Sequence, residues 1–366
     1  MRLVWGTVES VIAQRTGLQR LAVSVDGEAM AEAVGYTALS GSCAAGDRVL
    51  LNTTAGGLGL GTGGAHIVVT RVPRDCAPQG VAFDDPGGGH IMKLRYTPLQ
   101  RDVVSAEAPE SPDAGVLEDL TDVSGMPVVC CGLHSQVAVV AAAIKGVVPE
   151  ARVAYCMTDQ AALPLAFSEL VAVLRSAGFL DVTLTCGQAF GGEIEAVTLH
   201  SALVAARAVG HADVTVVGIG PGVVGTGSAL GHGGIAQGEA LNAAAAVSGR
   251  PVAALRLSFA DARERHRGVS HHTLTALGRI ALAPVLVAVP RLRADEAREV
   301  DRQLAEAGVW ERHLRVDVED ATTPDMRGLD VRSMGRGVAD DPAFFAAAAA
   351  AGRAAAALLK GAVGSR

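Results

Sequence analysis

The sequence predicts an α/β protein: a small N-terminal β-barrel-like domain followed by a doubly wound, Rossmann-like parallel sheet. Two patterns indicate this. In residues 1–72, short apolar runs are separated by turn residues and show no helical period, which is typical of a small barrel. In residues 126–366, short apolar runs alternate with helical stretches, which is typical of a parallel sheet covered on both faces.

The composition supports a folded protein with an acidic surface. The chain has 366 residues, of which 49% are hydrophobic and 19% are charged, so a large core can form and global disorder is excluded. The net charge is −7, and no basic tail is present. An acidic chain with few aromatic residues argues against nucleic acid as a partner.

Cysteine usage and hydropathy indicate a reduced, cytoplasmic protein. The N-terminal residues contain Glu9 and no apolar segment typical of a secretory signal. No apolar run reaches the roughly 18 residues of a membrane span, so no membrane contact is expected. The six cysteines show no C-x-x-C spacing, so neither a disulfide framework nor a structural zinc is predicted.

The N-terminal domain should contain five strands, and a linker should follow it. A glycine-rich stretch, residues 52–64, is expected to form a broad loop. Residues 73–125 contain many prolines and are predicted to be a connection with one extra strand at Ile91–Tyr96. The five predicted strands are Val4–Val11, Leu21–Val25, Ala33–Leu39, Arg48–Leu51 and Ile67–Val72.

The α/β domain should alternate seven strands with seven helices. The C-terminal segment Phe344–Leu359 is apolar all round, so it should pack on the main domain or on a second subunit. The predicted strands are Val128–Cys131, Val153–Met157, Val182–Thr185, Val214–Ile219, Val252–Leu257, Val285–Val289 and Leu314–Val318. The predicted helices are 134–147, 164–177, 192–209, 233–248, 270–280, 294–307 and 342–359.

A glycine-rich loop after the fourth strand is the first candidate site. In doubly wound sheets, ligands bind at the carboxyl ends of the strands, and backbone N–H groups of glycine loops often hold phosphate. The loop includes a formal G-x-G-x-x-G, but no helix opens directly after it and no acidic residue follows at the expected distance. A non-classical phosphate or nucleotide loop and a structural crossover or subunit contact both remain open. The predicted ligand-binding residues are Gly218, Gly220, Gly222, Gly225, Gly227 and His232.

The segment from Asp261 to His272 is the second candidate site, with a solvated basic loop as the alternative. Its arginines have the fork geometry that suits anions, and its histidines can transfer protons near neutral pH. Ser270 is predicted to cap a helix that begins at His271. No recognised metal-ligand spacing occurs, so no metal site is predicted. The predicted anion-binding residues are Arg263, Arg265 and Arg267, and the predicted acid/base residues are His266, His271 and His272.

Three further residues complete the predicted site. Asp159 or Asp261 is expected to orient a catalytic histidine, and Asp159 follows the second strand, where N-capping is an alternative role. His134 follows the first strand and begins a helix, where it contacts either an anion or only the protein.

Several segments together resemble an uncharacterised bacterial family, common in actinobacteria, that is catalogued only as a domain of unknown function. They include CGLHSQ (131–136), TCGQAFGGEIEAV (185–197) and SFADARERHRGVSHHTLTAL (258–277). The resemblance covers the whole chain and implies a cytoplasmic bacterial protein of two parts. It implies no catalytic chemistry.

The residues themselves favour an enzyme that hydrolyses or transfers a group on a phosphorylated small molecule or nucleotide. The expected ligand is a small anion; a nucleotide is the expected cofactor class, and a divalent metal is disfavoured. The chain is expected to form a homo-oligomer. Two alternatives stay open: a non-catalytic nucleotide-sensing or scaffold homo-oligomer, and a structural homo-oligomer whose glycine loops pack across a subunit interface.

Overall fold

The computed structural model describes residues 2–25, 30–54, 64–72, 88–97 and 99–361. These form two compact units, Met1–Val103 and Val104–Arg366. Most of the predicted glycine-rich loop at 52–64 lies outside the described residues, as does the proline-rich segment 73–87 with Cys76. The prediction of a separate connection over 73–125 therefore stays a prediction.

The N-terminal unit is a closed five-stranded barrel in the order β1-β2-β3-β5-β4, which confirms the predicted barrel. The predicted strand Ala33–Leu39 is wrong at its end, because residues from Thr37 coil into a short helix. Elements of this unit are β1 (Leu3–Arg15), β2 (Leu18–Val25), β3 (Met30–Tyr36), α1 (Thr37–Ser40), β4 (Arg48–Asn52), β5 (His66–Val72), and a separate pair formed by β6 (Ile91–Lys93) and β7 (Arg101–Val103).

Period-2 alternation builds the barrel core. Val8, Leu21, Val23 and Leu51 are all buried and pack in one cluster inside the barrel. Successive strand residues point to opposite faces, so each such residue fills the interior while its neighbour faces outward.

The second unit is built around an eight-stranded sheet in which every neighbouring pair is parallel, as predicted. The strand order is β11-β10-β9-β12-β8-β13-β16-β17, and β14 and β15 form a separate antiparallel pair. The strands are β8 (Pro127–Cys130), β9 (Val153–Thr158), β10 (Val182–Cys186), β11 (Ile194–Ala196), β12 (Val214–Ile219), β13 (Arg250–Ala254), β14 (Leu257–Ser258), β15 (Gly268–Val269), β16 (Leu286–Pro290) and β17 (Leu314–Val318).

Helices cover both faces of this sheet. The predicted helix 192–209 is wrong at its start, because Ile194–Ala196 instead pairs with β10 as a strand. The helix predicted over 270–280 begins at His271 with Ser270 as its cap, as predicted, and continues as a π-helix over Ala276–Ile280. The α-helices are α2 (Ala114–Leu117), α3 (Gln136–Val147), α4 (Glu169–Ser176), α5 (Leu199–Ala208), α6 (Ala236–Ala246), α7 (His271–Thr275), α8 (Ala294–Glu306) and α9 (Pro342–Leu359).

The sheet separates two apolar cores. Along β8, Val128 and Cys130 face the core that contains α5 and α6, whereas Val129 faces the core that contains α3 and α9. From β8 the chain continues to β9 on one side, and from β12 it continues to β13 on the other. The strand order therefore reverses around the neighbouring strands β12, β8 and β13, and ligands bind at the carboxyl ends of such a switch point.

The C-terminal helix α9 is a core element, which confirms its predicted packing on the main domain. By length and composition it could cross a membrane, but 72% of that span is buried inside the protein. It packs on α3 so closely that a Cβ at Gly352 would stand 2.5 Å from the carbonyl oxygen of Val140. Its polyalanine surface permits this close approach of two helices.

Candidate functional site

Four histidines meet at the carboxyl edge of the sheet and form what we call the histidine cluster: His232, His266, His271 and His272. The rings of His232 and His272 stack with centroids 3.9 Å apart and planes 9° apart. The rings of His271 and His272 are 4.4 Å apart, and those of His266 and His271 are 5.0 Å apart. The structure therefore brings together all three predicted acid/base histidines and the predicted ligand residue His232.

Two segments supply these side chains. His232 ends the glycine loop that follows β12, and the other three lie in or directly after the β14–β15 hairpin that follows β13. The Ser270 hydroxyl accepts a hydrogen bond from the backbone N–H of His272 and lies 2.8 Å from His266 Nδ1. One hydroxyl thus caps α7 and positions two histidines.

Two glycines make room for the stacked rings. A Cβ at Gly225 would stand 3.2 Å from His272 Nε2, and a Cβ at Gly234 would stand 2.8 Å from His272 Cβ. Real Cβ atoms essentially never come as close as 2.8 Å, and 3.2 Å is tighter than nine in ten real Cβ contacts. The glycines are therefore needed at these two positions to let the loop backbone lie against the histidines.

Arg256 is a site residue that the sequence analysis missed. It is 6% exposed, and its guanidinium donates a hydrogen bond to His272 Nδ1 at 3.1 Å. None of the described carboxylates forms an ion pair with it within 4.0 Å. Burial, followed by the nearby positive charge of Arg263, lowers the pKa of Arg256 to about 10. The available signal was a charged residue inside the apolar run 252–257.

Hydrogen bonding fixes the tautomers of two histidines. Because guanidinium only donates, His272 Nδ1 must accept, and the neutral ring carries its proton on Nε2. His232 Nε2 lies 3.0 Å from the carbonyl oxygen of Ala229 and therefore donates to it, which leaves a lone pair on Nδ1. Both this His232 Nδ1 and His271 Nε2 are buried and have no hydrogen-bond partner among the described residues.

The cluster is held in its neutral form. Burial and then the charge of Arg256 lower the pKa of His266 to about 3. Burial and then the neighbouring His232 lower the pKa of His272 to about 2. Burial also lowers the pKa of His232 and of His271. All four rings are therefore uncharged at neutral pH.

The predicted role of Asp261 as an orienting carboxylate stays a prediction, because its oxygens bond to arginines and not to a histidine of the described residues. Its two oxygens accept hydrogen bonds from the Arg263 side chain at 2.9 and 2.8 Å, and Arg336 lies 3.3 Å away. Arg336 also bonds Asp341 at 3.1 Å. These contacts hold the pKa of Asp261 well below its usual range. Asp261 thus neutralises arginines, including Arg263, and hydrogen-bonds to no histidine of the described chain.

Asp159 and His134 also serve the protein itself. Asp159 Oδ2 accepts the backbone N–H of Gln188 at 2.9 Å and so fixes the turn after β10. His134 lies 2.7 Å from the Ser168 hydroxyl through Nε2 and 3.1 Å from the Ile219 carbonyl oxygen through Nδ1. Both ring nitrogens are therefore used internally, as the alternative interpretation of His134 held.

The remaining predicted ligand residues differ in position. Gly218 lies in β12 and is buried against α3, and a Cβ at Gly220 would stand 2.5 Å from the Ala162 carbonyl oxygen, so both glycines have a packing role. Gly222, with a φ of 89°, and Gly227 are exposed, with open space around them. Arg265 and Arg267 are also exposed. Ligand contact at these last four residues stays a prediction.

Other unsatisfied polar atoms lie at the same edge of the sheet. Thr158 Oγ1, at the end of β9, and Gln237 Oε1 are buried without a partner. The Gln237 amide donates to the carbonyl oxygens of Cys130 and Ala254, at the ends of β8 and β13. Unpaired buried polar atoms are costly, so their presence at this edge makes it a candidate ligand site. A separate cleft of about 600 Å³, beside Phe259 and Asp341, is lined by no histidine.

The fold and the site together define a two-unit α/β protein with a histidine and arginine site at the switch point of a parallel sheet. The chain belongs to the family described as a protein of unknown function, DUF3866, whose model matches residues 32–352. This confirms the resemblance found in the sequence. No curated protein and no solved structure matches the chain.

Proposed function

We propose that the protein binds a phosphorylated small molecule or nucleotide against Arg256 and the histidine cluster, and hydrolyses or transfers a group on it. Arg256 carries this proposal. Burying a cation without a counterion in contact costs several kcal/mol. Among the described residues, this guanidinium hydrogen-bonds only to a neutral imidazole, and Asp261 acts on it from beyond ion-pair distance. An anionic ligand would compensate the charge, and the planar guanidinium fork suits the oxygens of phosphate.

The surroundings favour an anion over a cationic or neutral ligand. Arg265 and Arg263 add positive charge near Arg256, since both lower its pKa. Asp261, by contrast, is occupied by Arg263 and Arg336. The glycine loop, which includes the exposed Gly222 and Gly227, connects β12 to His232.

The histidine cluster supplies groups that could transfer protons to such a ligand. His272 Nε2–H is a donor, and the lone pair of His232 Nδ1 is an acceptor. A donor and an acceptor within one cluster are the requirement for general acid–base catalysis of hydrolysis or group transfer. No nucleophilic side chain needs to be invoked, because water or a second substrate can serve.

The test is Arg256→Met, with Arg298→Met, at an exposed arginine on α8, as the control. In thermal-shift and calorimetric titrations with inorganic phosphate and with ATP, the wild type and Arg298→Met should bind. Arg256→Met should bind about 10 to 150 times more weakly, as expected for loss of a charged hydrogen bond. Its ligand-free stability should stay within about 1 kcal/mol of the wild type, because the lost group is an uncompensated buried charge.

Equal affinity of Arg256→Met and the wild type would contradict the proposal. Binding without turnover of ATP or phosphate esters, together with a ligand-dependent change in oligomeric state, would favour the sensing function instead. Phosphate release from ATP or a phosphate ester that requires Arg256 would support the enzymatic one.

A further inference from the structure

We propose that His232, His271 and His272 form a binding site for a divalent transition-metal ion of the zinc class. Their ligand-capable ring nitrogens lie within 4.8 Å of one another. Nitrogens around a tetrahedral zinc ion, each about 2.05 Å from it, are roughly 3.4 Å apart. Small side-chain rotations would therefore bring the three rings to the metal. This inference adds a metal to the proposed function and departs from the sequence-based prediction of no metal site.

One of the three ligands already presents a lone pair, and a second has a buried ring nitrogen with no hydrogen-bond partner among the described residues. His232 donates its Nε2–H to the Ala229 carbonyl oxygen, which is how metal-binding histidines are usually oriented and held in one tautomer. Its Nδ1 and His271 Nε2 are buried and have no hydrogen-bond partner among the described residues. His232 as a whole is 6% exposed. An unused buried acceptor costs stability in the free protein, and a metal ion would satisfy both atoms at once.

The nature of the ligands selects the metal. The three residues are all imidazoles, and Asp261, the buried acidic residue of the same segment, is occupied by Arg263 and Arg336. Imidazole nitrogen suits Zn²⁺, Cu²⁺ and Ni²⁺, whereas Mg²⁺ and Ca²⁺ require oxygen ligands.

Arg256 couples the metal site to the anion site. While its guanidinium donates to His272 Nδ1, the His272 proton stays on Nε2, and this ring is not a metal ligand. If Arg256 turns to a bound anion, the His272 proton can move through solvent to Nδ1, and Nε2 becomes free for the metal. Only this coupling rests on the proposed function; the ligation by His232 and His271 does not.

The experiment uses full-length protein treated with EDTA and dialysed. Zn²⁺ binding is measured by competition with a chromophoric chelator, and Co²⁺ binding by visible absorption, at neutral pH. One equivalent should bind to the wild type through His232 and His271 without phosphate, and the Kd should fall when phosphate is added, because His272 is then available as the third ligand. His232→Ala and His271→Ala should each weaken binding at least about 100-fold, more than loss of an outer-shell partner usually costs. His200→Ala, at an exposed histidine on α5, should bind as the wild type does.

Equal Zn²⁺ affinity of the wild type, His232→Ala and His271→Ala would overturn the proposal, as would the absence of binding to the wild type. Circular dichroism verifies that each variant is folded. If His232→Ala does not fold, the Zn²⁺ affinity of His271→Ala alone tests the proposal, because His271 is half-buried. Arg256→Met separates the two sites: it should lose phosphate but keep Zn²⁺. Phosphate binding without Zn²⁺ binding would refute only the metal site, and the reverse would refute only the anion site.

Discussion

His134 and the histidine cluster lie at the same edge of the same sheet, and burial lowers the pKa in both places. They differ in how the ring nitrogens are used. His134 donates to the Ile219 carbonyl oxygen and accepts from the Ser168 hydroxyl, and that hydroxyl also caps α4 by accepting the Val171 N–H. In the cluster, by contrast, His232 and His271 each keep one buried nitrogen without a partner.

The difference separates a structural histidine from a candidate ligand. The hydrogen bonds of His134 connect the end of β12 to the start of α4. The Tyr155 hydroxyl of β9 also lies 3.1 Å from His134 Nδ1. Such a network stabilises the folded state and leaves no binding capacity. The cluster gives up that stabilisation, which is the expected cost when polar groups are kept for a ligand.

The largest expected effect is acid destabilisation, to which both regions contribute. The pKa values of His134, His266 and His272 are lowered to about 4, 3 and 2, whereas the unfolded chain takes up these protons near pH 6.5. Neutral histidine therefore favours the folded state above pH 6.5, and this stability is lost as the pH falls below it. With three protons bound on unfolding, the free energy of unfolding should fall by up to about 4 kcal/mol per pH unit below pH 6.

Urea unfolding at pH 7, 6 and 5 measures this slope. His134→Gln should remove about one third of it, since one of the three protons is then absent. Bound phosphate should change only the part of this slope that comes from the histidine cluster, because His134 has no ring nitrogen left for a ligand. A free energy of unfolding that is constant between pH 7 and pH 5 would show that these histidines are not held neutral.

The next effect compares truncations in the two regions. His134→Ala should lower the free energy of unfolding by about 3 kcal/mol, because it leaves a cavity and removes partners of Ser168 and Ile219. His271→Ala should change it by less than about 1 kcal/mol, because the ring is half-buried and its Nε2 makes no bond. Chemical denaturation at pH 7.5 gives both values. Equal losses would mean that the cluster is as structural as His134.

The layout of the fold could be predicted from the sequence because a parallel sheet buried on both faces requires apolar strands. Runs such as Val153–Met157 and Val214–Ile219 have that property, and both are buried strands. The predictions failed where pairing competed with local pattern: Ile194–Ala196 forms an edge strand inside a predicted helix. The strand order could not be predicted from the sequence either, because the position of β12 between β8 and β9 depends on tertiary packing.

The sequence predicted which histidines lie in the site, but it did not predict how the charged residues around them pair. Polar residues after parallel strands must gather at one edge, so His232 and His271 could be placed together from sequence. Which arginine pairs with which carboxylate depends on distances of a few ångströms between loops. The sequence therefore did not indicate that Arg336, far along the chain, shares Asp261 with Arg263, or that Arg256 would hydrogen-bond to a histidine and not to a carboxylate.

The smallest expected effect tests whether the cluster depends on its glycines. In Gly234→Ala, the new Cβ would stand 2.8 Å from His272 Cβ and 3.1 Å from His232 Nδ1, so the stacked rings must shift. Overpacking of this kind costs about 1–3 kcal/mol.

Gly227→Ala is the matched control: it lies in the same loop, in open space and without a positive φ, and should be neutral or slightly stabilising. Thermal unfolding of the two variants decides, and equal melting temperatures would mean that the loop backbone is not tightly apposed to the rings. Because His134 touches neither glycine in the described contacts, a loss confined to Gly234→Ala would assign the strain to the cluster alone.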